Sequence, residues 1–189
     1  MKKVTSIAIL LSLAVAAVAQ EAPHKYEIKS GIVKTVTEVM GQKSEAVSYF
    51  DDYGAKEIAK NKVTVPGQGE IEIASILKDG KLYMVNYTAK QVQEMPMPES
   101  INYLAITDGI KAQYKIEEAG TEMLGDKECK KYTEEISQMG QTANVTVWVW
   151  KGYVLKTVTS ISGMQIVAEV TEFDEDAYIL PGTFEIPQF

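Results

Sequence analysis

The residues of this 189-residue sequence that could carry chemistry are mostly carboxylates. The single histidine, His24, lies close to the predicted start of the mature chain, where we expect fraying, so it is a poor base for a nucleophilic Ser–His or Cys–His system. The single cysteine, Cys129, precedes two lysines that favour a thiolate, but such a strand cysteine is more often inert. Zinc would lack its usual nitrogen and sulfur ligands. We therefore predict no catalytic residue, no cofactor and no metal site.

The densest acidic cluster is Asp174–Asp176, which Glu172 precedes. Its oxygens could hold Ca²⁺, but no twelve-residue calcium loop accompanies it, and an acidic turn between strands is the favoured interpretation. A carboxylate pair for glycoside hydrolysis stays open as an alternative. The sequence contains no arginine and few long loops, which gives a sugar little to bind.

The apolar residues are more informative than the charged ones. Residues 145–150 read VTVWVW, and strand alternation puts the three valines on one face and the two tryptophans on the other. Both faces then need cover, either by a fully packed core or by a cavity for an apolar ligand. Methionine is common at adaptable apolar surfaces. The candidate ligand-binding residues are Met84, Met95, Met97, Ile101, Leu104, Trp148 and Trp150.

Turn residues separate short segments rich in Val, Ile, Thr and Tyr, which predicts an all-β, mainly antiparallel meander. Tyr26–Met40 reads as a long strand with one buried face. Residues 71–87 read as a hairpin around Lys78–Gly80, and Val154–Ile161 should pair with Met164–Val170. The sequence thus predicts a strongly curved sheet or half-open barrel.

One stretch interrupts the meander, near residues 95–109. The prolines of Met95–Pro98 cannot donate to a central sheet ladder. Pro98–Ile106 suits a short helix that Gly109 would stop. We expect this insertion to lie over the sheet as a helical flap.

The first 19 residues have the features of a secretory signal peptide: Lys2 and Lys3, then an apolar run, then Ala17–Ala19. We predict cleavage near Ala19–Gln20, one domain over 20–189, and a periplasmic or secreted location. Lipid anchoring by the bacterial route needs a cysteine at the cleavage site, and Cys129 is far from it. No other stretch has the length of a transmembrane helix.

The charge of the chain argues against nucleic acids and anionic membranes as partners. The formal net charge is −7, and every basic residue is lysine. Nucleic-acid binders normally carry a basic stripe, often with arginine, and an anionic membrane surface would repel this chain. We therefore expect neither partner.

The order of segments resembles a known plan. The chain combines YKIEEAGTEMLGDKECKKYTEEI (114–136), VTVWVWKGYVLKTVTSISG (145–163) and a closing GTFEIP (182–187). These segments resemble small exported proteins of the DUF4412 type, many from the Bacteroidetes lineage, which are similar in plan to the LolA lipoprotein carriers. The resemblance implies a half-open barrel whose mouth is closed by short helices over an apolar cavity. LolA carriers latch the lid with an arginine, which this chain lacks, so dedicated lipoprotein transport is not implied.

Three functions remain open from the sequence. The first is a non-enzymatic carrier that holds a lipid or other apolar ligand between sheet and flap. The second is a structural or interaction module with a fully packed core, no ligand and a partner in the envelope. The third is the carboxylate hydrolase, and we favour the carrier.

Overall fold

The computed structural model of the protein describes residues 24–65, 67, 69–97, 101–138 and 141–189. The predicted signal peptide and residues Pro98–Ser100 of the predicted flap helix lie outside this part of the chain. None of the helices in the described part has the length and apolar composition needed to cross a bilayer.

Eleven strands form one antiparallel sheet. In chain order they are β1 (Gly31–Val39), β2 (Gln42–Asp51), β3 (Lys56–Val65), β4 (Gly69–Lys78), β5 (Lys81–Asn86), β6 (Gln91–Met95), β7 (Glu117–Leu124), β8 (Lys127–Gln138), β9 (Gln141–Trp150), β10 (Tyr153–Ile161) and β11 (Met164–Glu175). A short 3₁₀ turn, Asp52–Gly54, joins β2 to β3, and one helix, α1 (Asp108–Tyr114), precedes β7.

The sheet consists of two meanders joined in the middle. Its order is β6-β5-β4-β3-β2-β1-β11-β10-β9-β8-β7, so the first and last strands are neighbours. Strands β6 and β7 are the two edges, and no pairing closes them into a barrel among the described residues. The predicted all-β, antiparallel, half-open architecture is confirmed. So are the predicted hairpins, which are β4–β5 and β10–β11.

Residues 101–116 of the connection between the two edge strands, β6 and β7, lie on one face of the sheet. Among them, Ile101 and Ile116 are buried against Val145, Val147 and Val149 of β9. We call this side of the sheet the inner face and the opposite side the outer face. We call the described residues 101–116 of the connection the flap.

Two further segments cover other parts of the sheet. The C-terminal segment, residues 177–189, buries Phe184 against Ile58, Ile76 and Val85 of β3–β5. Before β1, Tyr26 and Ile28 pack with Val33 and Phe50. The sheet is thus covered in patches by three separate segments.

The flap helix lies downstream of its predicted position. It spans Asp108–Tyr114, not Pro98–Ile106, and Gly109 lies in its first turn instead of after its end. The Thr107 side chain caps it by accepting from the Ile110 amide at 3.3 Å. Upstream, Asn102 Oδ1 accepts from the Leu104 amide at 2.9 Å, a side-chain turn that competes with helix formation.

Candidate functional site

Apart from Glu57, the inner-face positions of β1–β6 carry uncharged side chains, and several of them in the middle of the strands are small. Residues paired across an antiparallel ladder share a face. The register therefore lines up two inner-face rows, one of Thr35, Ala46, Asn61, Ile73 and Asn86 and one of Val33, Ser48, Ala59, Ser75 and Met84. Thr37 of β1 continues this face across β11 and β10 to Val147, under the flap.

Charges on these six strands are segregated to the outer face. By register, Glu57 is the one charged residue at an inner-face position of β1–β6. The alternate positions carry outer-face ion pairs such as Lys62–Glu70 at 3.1 Å and Lys34–Glu172 at 2.7 Å. Such alternation is expected when one face is water-exposed and the other is withdrawn from water. Here Ser48, Ala59 and Ser75 of the uncharged face are only half-buried.

A groove of about 560 Å³ lies along β4–β6. Five of its seven lining residues hold inner-face positions: Ile73, Met84, Asn86, Gln91 and Gln93. None of the seven carries a charge. Its inner-face lining therefore combines two apolar side chains with three neutral amides, and Val85 and Val92 of the outer face complete the groove.

Asn61 of β3 is the register partner of Ile73, which lines the groove, and it is not itself one of the lining residues. Its side-chain oxygen Oδ1 is buried without a hydrogen-bond partner. The carbonyl of Asn86, in the same row, is occupied instead, since it accepts from the Ala89 amide at 2.8 Å. A buried carbonyl without a donor is unfavourable. Asn61 is thus an unsatisfied acceptor on the inner face.

The flap holds a buried carboxyl against the sheet. Glu134 of β8 is 6% exposed, and it pairs with Val145 on the inner face. The Tyr103 hydroxyl donates to its Oε2 at 3.2 Å. Burial raises the pKa of the Glu134 carboxyl to about 7, against the opposing effect of the Tyr103 hydrogen bond. The same burial raises the pKa of Tyr103 far above its ordinary value.

The residues before β1 close one end of the inner face. Lys25 Nζ contacts Glu57 Oε1 at 2.5 Å, and the Tyr26 hydroxyl donates to the same oxygen at 2.9 Å. The buried carboxylate of Glu57 is therefore paired. Gly152 sits where this segment meets the flap: a Cβ there would lie 2.6 Å from the Lys25 carbonyl and 2.8 Å from Leu104 Cγ.

The two tryptophans predicted to line the ligand site lie away from the valines. Trp148 packs in a cluster with Cys129 and Leu155. Trp150 packs against this cluster and also against the cluster of Val33 and Phe50. By register Trp148 shares the outer face with Lys131 and Lys156. Its indole Nε1 donates to Glu122 Oε2 at 2.9 Å, a bond that lowers the pKa of that carboxyl together with Lys131. The ammonium groups of Lys127 and Lys151 lie 4.5 and 4.4 Å from the Trp150 ring centroid.

The structure thus divides the seven candidate residues. Met84 lines the inner-face groove, and Met95 of β6 holds an inner-face position through its pairing with Leu82. Ile101 is buried under the flap, while Leu104 of the flap is 38% exposed at the Gly152 junction. Met97 is half-buried after the end of β6. Trp148 packs on the outer face of β9, while Trp150 packs both there and against the cluster of Val33 and Phe50. The seven candidates are therefore not brought together at one place.

The residues considered for catalysis are placed as follows. Cys129 is fully buried, and burial raises the pKa of its thiol, which disfavours the reactive thiolate. His24, expected to fray, stacks on Tyr53 with ring centroids 3.9 Å apart. Glu175 of the acidic cluster pairs with Lys151 at 2.8 Å. Among the described residues, no three metal-ligating side chains of His, Cys, Asp or Glu are grouped.

A second groove, of about 410 Å³, lies between the β7–β8 turn and β11. It is lined in part by charged side chains, namely Asp126, Lys127, Glu169 and Glu172. Its composition therefore differs from that of the uncharged inner-face groove.

Sequence reasoning missed Asn61 and Glu134. A signal for the inner face was present, because Lys60 and Lys62 alternate with Ala59 and Asn61 along β3. Neither the unsatisfied carbonyl nor the buried carboxyl is visible without the contacts between distant strands and the flap.

No protein-family model matches the sequence, and no curated protein matches it either. Several solved structures are similar. An uncharacterized conserved protein from Thermus thermophilus aligns with a TM-score of 0.58 at 12% identity, over 86% of this chain and 88% of that one. LprF from Mycobacterium bovis aligns with a TM-score of 0.44 at 11% identity, over 86% and 91%. A putative outer membrane lipoprotein-sorting protein domain from Vibrio parahaemolyticus aligns with a TM-score of 0.42 at 10% identity, over 85% and 91%.

The Thermus alignment supports the overall fold over most of both chains. At these identities a function does not transfer, and the two lower scores carry no further argument. The likeness to DUF4412-type and LolA proteins stays a prediction.

Proposed function

We propose that the protein is an exported, non-enzymatic carrier that binds a lipid or other apolar molecule on the inner face of β1–β6, next to the flap. The proposal includes a signal peptide cleaved near Ala19–Gln20, a single domain over 20–189 and a periplasmic or secreted location without a lipid anchor. It also includes the resemblance to DUF4412-type and LolA proteins.

The observation that best supports this proposal is that the inner face of β1–β6 carries no charged side chain except the paired Glu57. A sheet face exposed to water in all functional states would be expected to carry charges, as the outer face of these strands does. Ser48, Ala59 and Ser75, which form the middle of the inner face and which we call its floor, are small and only half-buried. A ligand that covers this floor would explain why the charged side chains of these strands lie on the outer face.

The size of the groove suits a small lipid. Ligand sites typically measure about 300–1,000 Å³, and the inner-face groove measures about 560 Å³. Each methylene withdrawn from water contributes roughly 0.8 kcal/mol. An acyl chain laid along Ile73 and Met84 would thus gain several kcal/mol without any charged contact.

The first test is native mass spectrometry of protein purified from the periplasm without detergent, before and after organic extraction. We expect extra mass of a small lipid that extraction removes. A bare chain that takes up neither an added fatty acid nor an added monoacylglycerol would contradict the proposal. A protein partner would then be sought for the same face.

A pair of variants on β3 locates the site. Ala59→Phe fills the floor of the inner face, and we expect it to abolish lipid uptake while the protein stays folded. Lys62→Phe is the matched control, since Lys62 lies on the same strand, on the outer face, with a largely exposed side chain. Ser75→Leu supplies a second floor variant if Ala59→Phe folds poorly. Equal loss of uptake in the control would place the site elsewhere.

A further inference from the structure

The polar groups of the inner face indicate which chemical class of ligand it can bind. This inference rests on the proposed carrier function. Three features matter: the charges near the groove, the hydrogen-bonding groups in its lining, and the unsatisfied acceptor beside it. Each of them constrains the head of an amphipathic ligand.

The one charged side chain at an inner-face position of β1–β6 is already paired. It is Glu57, and Lys25 and Tyr26 both bind its Oε1. No lysine holds an inner-face position on these strands. An anionic head seated on this floor would be withdrawn from water without a cation, which is strongly unfavourable.

Neutral hydrogen-bonding groups are present instead. Asn86, Gln91 and Gln93 line the groove beside Ile73 and Met84. Next to Ile73, the buried Oδ1 of Asn61 lacks a donor within the protein. A donor supplied from outside would remove the cost of that unpaired carbonyl.

We infer that the carried ligand is an uncharged amphiphile whose hydroxyl or amide group donates a hydrogen bond to Asn61 Oδ1, while its apolar chain lies along Ile73 and Met84. The three amides of the groove bind the remaining polar atoms of the head. A neutral head is preferred over a carboxylate of the same chain length because only the carboxylate brings a buried, unpaired charge.

The test compares three probes of equal chain length: a monoacylglycerol, the methyl ester and the free fatty acid, at a pH where the acid is ionised. We expect the monoacylglycerol to bind about tenfold more tightly than the methyl ester, because the ester lacks a hydrogen-bond donor. A tenfold difference in affinity corresponds to about one hydrogen bond between uncharged groups. The fatty acid should bind more weakly still. Displacement of a fluorescent neutral lipid gives all three affinities.

Variants at Asn61 assign the preference to this residue. In Asn61→Leu we expect the monoacylglycerol and methyl ester to bind equally, with no fall in the melting temperature of the ligand-free protein, because an unpaired carbonyl has been removed. Asn61→Lys should shift the preference toward the fatty acid. Asn144→Leu, an exposed asparagine on β9, is the matched control and should leave all three affinities unchanged.

The outcomes separate the inference from the proposed function. If none of the probes binds, the carrier function itself fails. If all bind but the fatty acid binds most tightly, or if Asn61→Leu keeps the wild-type order, the carrier function stands and the assignment of a neutral ligand at Asn61 is wrong.

Discussion

The two halves of the sheet are covered by other segments of the chain on opposite faces. Over β8–β9 the flap buries the inner face, whose side chains are the large Val145, Val147 and Val149. Over β3–β5 the C-terminal segment buries the outer face, where Ile58 and Ile76 meet Phe184. The inner face of this second half has small residues at Ser48, Ala59 and Ser75, and no cluster of buried apolar residues in the described part of the chain is centred on these three.

This difference shows how one sheet can separate the face that stabilises the domain from the face that we propose for binding. Burial of large side chains supplies most of the stability of a domain. On β3–β5 that burial lies on the outer face, opposite to the face that we propose for the ligand. Substitutions on the two faces and under the flap test this difference.

The largest effect is expected from Trp148→Ala, on the outer face of β9. Trp148 is 7% exposed, and truncation of a buried aromatic costs about 3–5 kcal/mol. Because Trp148 lies away from the inner-face groove, the folded fraction should keep its ligand affinity. Chemical denaturation and the displacement assay, both run on the same sample, check the two statements. Loss of affinity at unchanged stability would return Trp148 to the ligand site.

Two adjacent residues of β4 test the opposite faces directly. Ile76 is fully buried on the outer face, so Ile76→Ala should lower the free energy of unfolding by about 2–5 kcal/mol. Ser75→Ala, on the inner face, should change it by less than about 0.5 kcal/mol. Urea denaturation of both variants measures the difference. Comparable losses would mean that the inner face is as tightly packed as the outer one.

The buried carboxyl under the flap predicts a pH dependence. The pKa of Glu134 is about 7 in the folded protein and near 4.5 ordinarily, so between these values the folded state binds more protons than the unfolded state. Stability contributed by this group should therefore be fully present below about pH 4.5 and fall by roughly 3 kcal/mol as the pH rises through 7.

Thermal unfolding between about pH 5 and about pH 8 tests this sign, because most of the titration falls within that range. Glu134→Gln is the control, since it keeps the shape and a hydrogen-bonding group for Tyr103 but cannot titrate. The wild type should lose stability relative to this variant as the pH rises. A difference that grows in the opposite direction, or none, would show that Glu134 is not buried under the flap.

The smallest effect is expected from Lys131→Gln. Its ammonium lies 4.7 Å from the Trp148 ring centroid and pairs with Glu122 at 3.2 Å, at a partly exposed position. Cation–π and surface ion pairs of this kind contribute about 0.5–1 kcal/mol. High salt should reduce the part of this stability loss that comes from the ion pair, because salt screens exposed charges. Denaturation at two salt concentrations measures it, and a loss as large as that of Trp148→Ala would contradict this ranking.

Local features of the sheet were predictable from sequence. The turns at Asp79-Gly80 and Ser162-Gly163 take positive φ at both residues, the geometry that favours tight hairpins, and the flanking strands alternate as predicted. Alternation also identified two apolar faces on β9. It did not decide which face the flap covers, because both Val147 and Trp148 are suited to burial.

Features that depend on distant contacts were not predictable. The pairing of β1 with β11 joins segments at opposite ends of the chain. The flap helix was displaced because the hydrogen bonds of Asn102 and Thr107 to nearby amides outweighed the proline and glycine signals. The candidate site was anticipated in part, through Met84, but Asn61 stands out only once its neighbours show that none of them donates to it.

The central pairing of β1 with β11 has a consequence for how the protein folds. The Ser30 hydroxyl donates to the Ala177 carbonyl at 2.9 Å across 147 positions of sequence. Each meander can form by sequential hairpins, but the two cannot join until β11, the last strand to be synthesised, is present. Such non-local closure is slow. The export that we propose would gain from this order, because the complete sheet cannot assemble before its final strand has emerged.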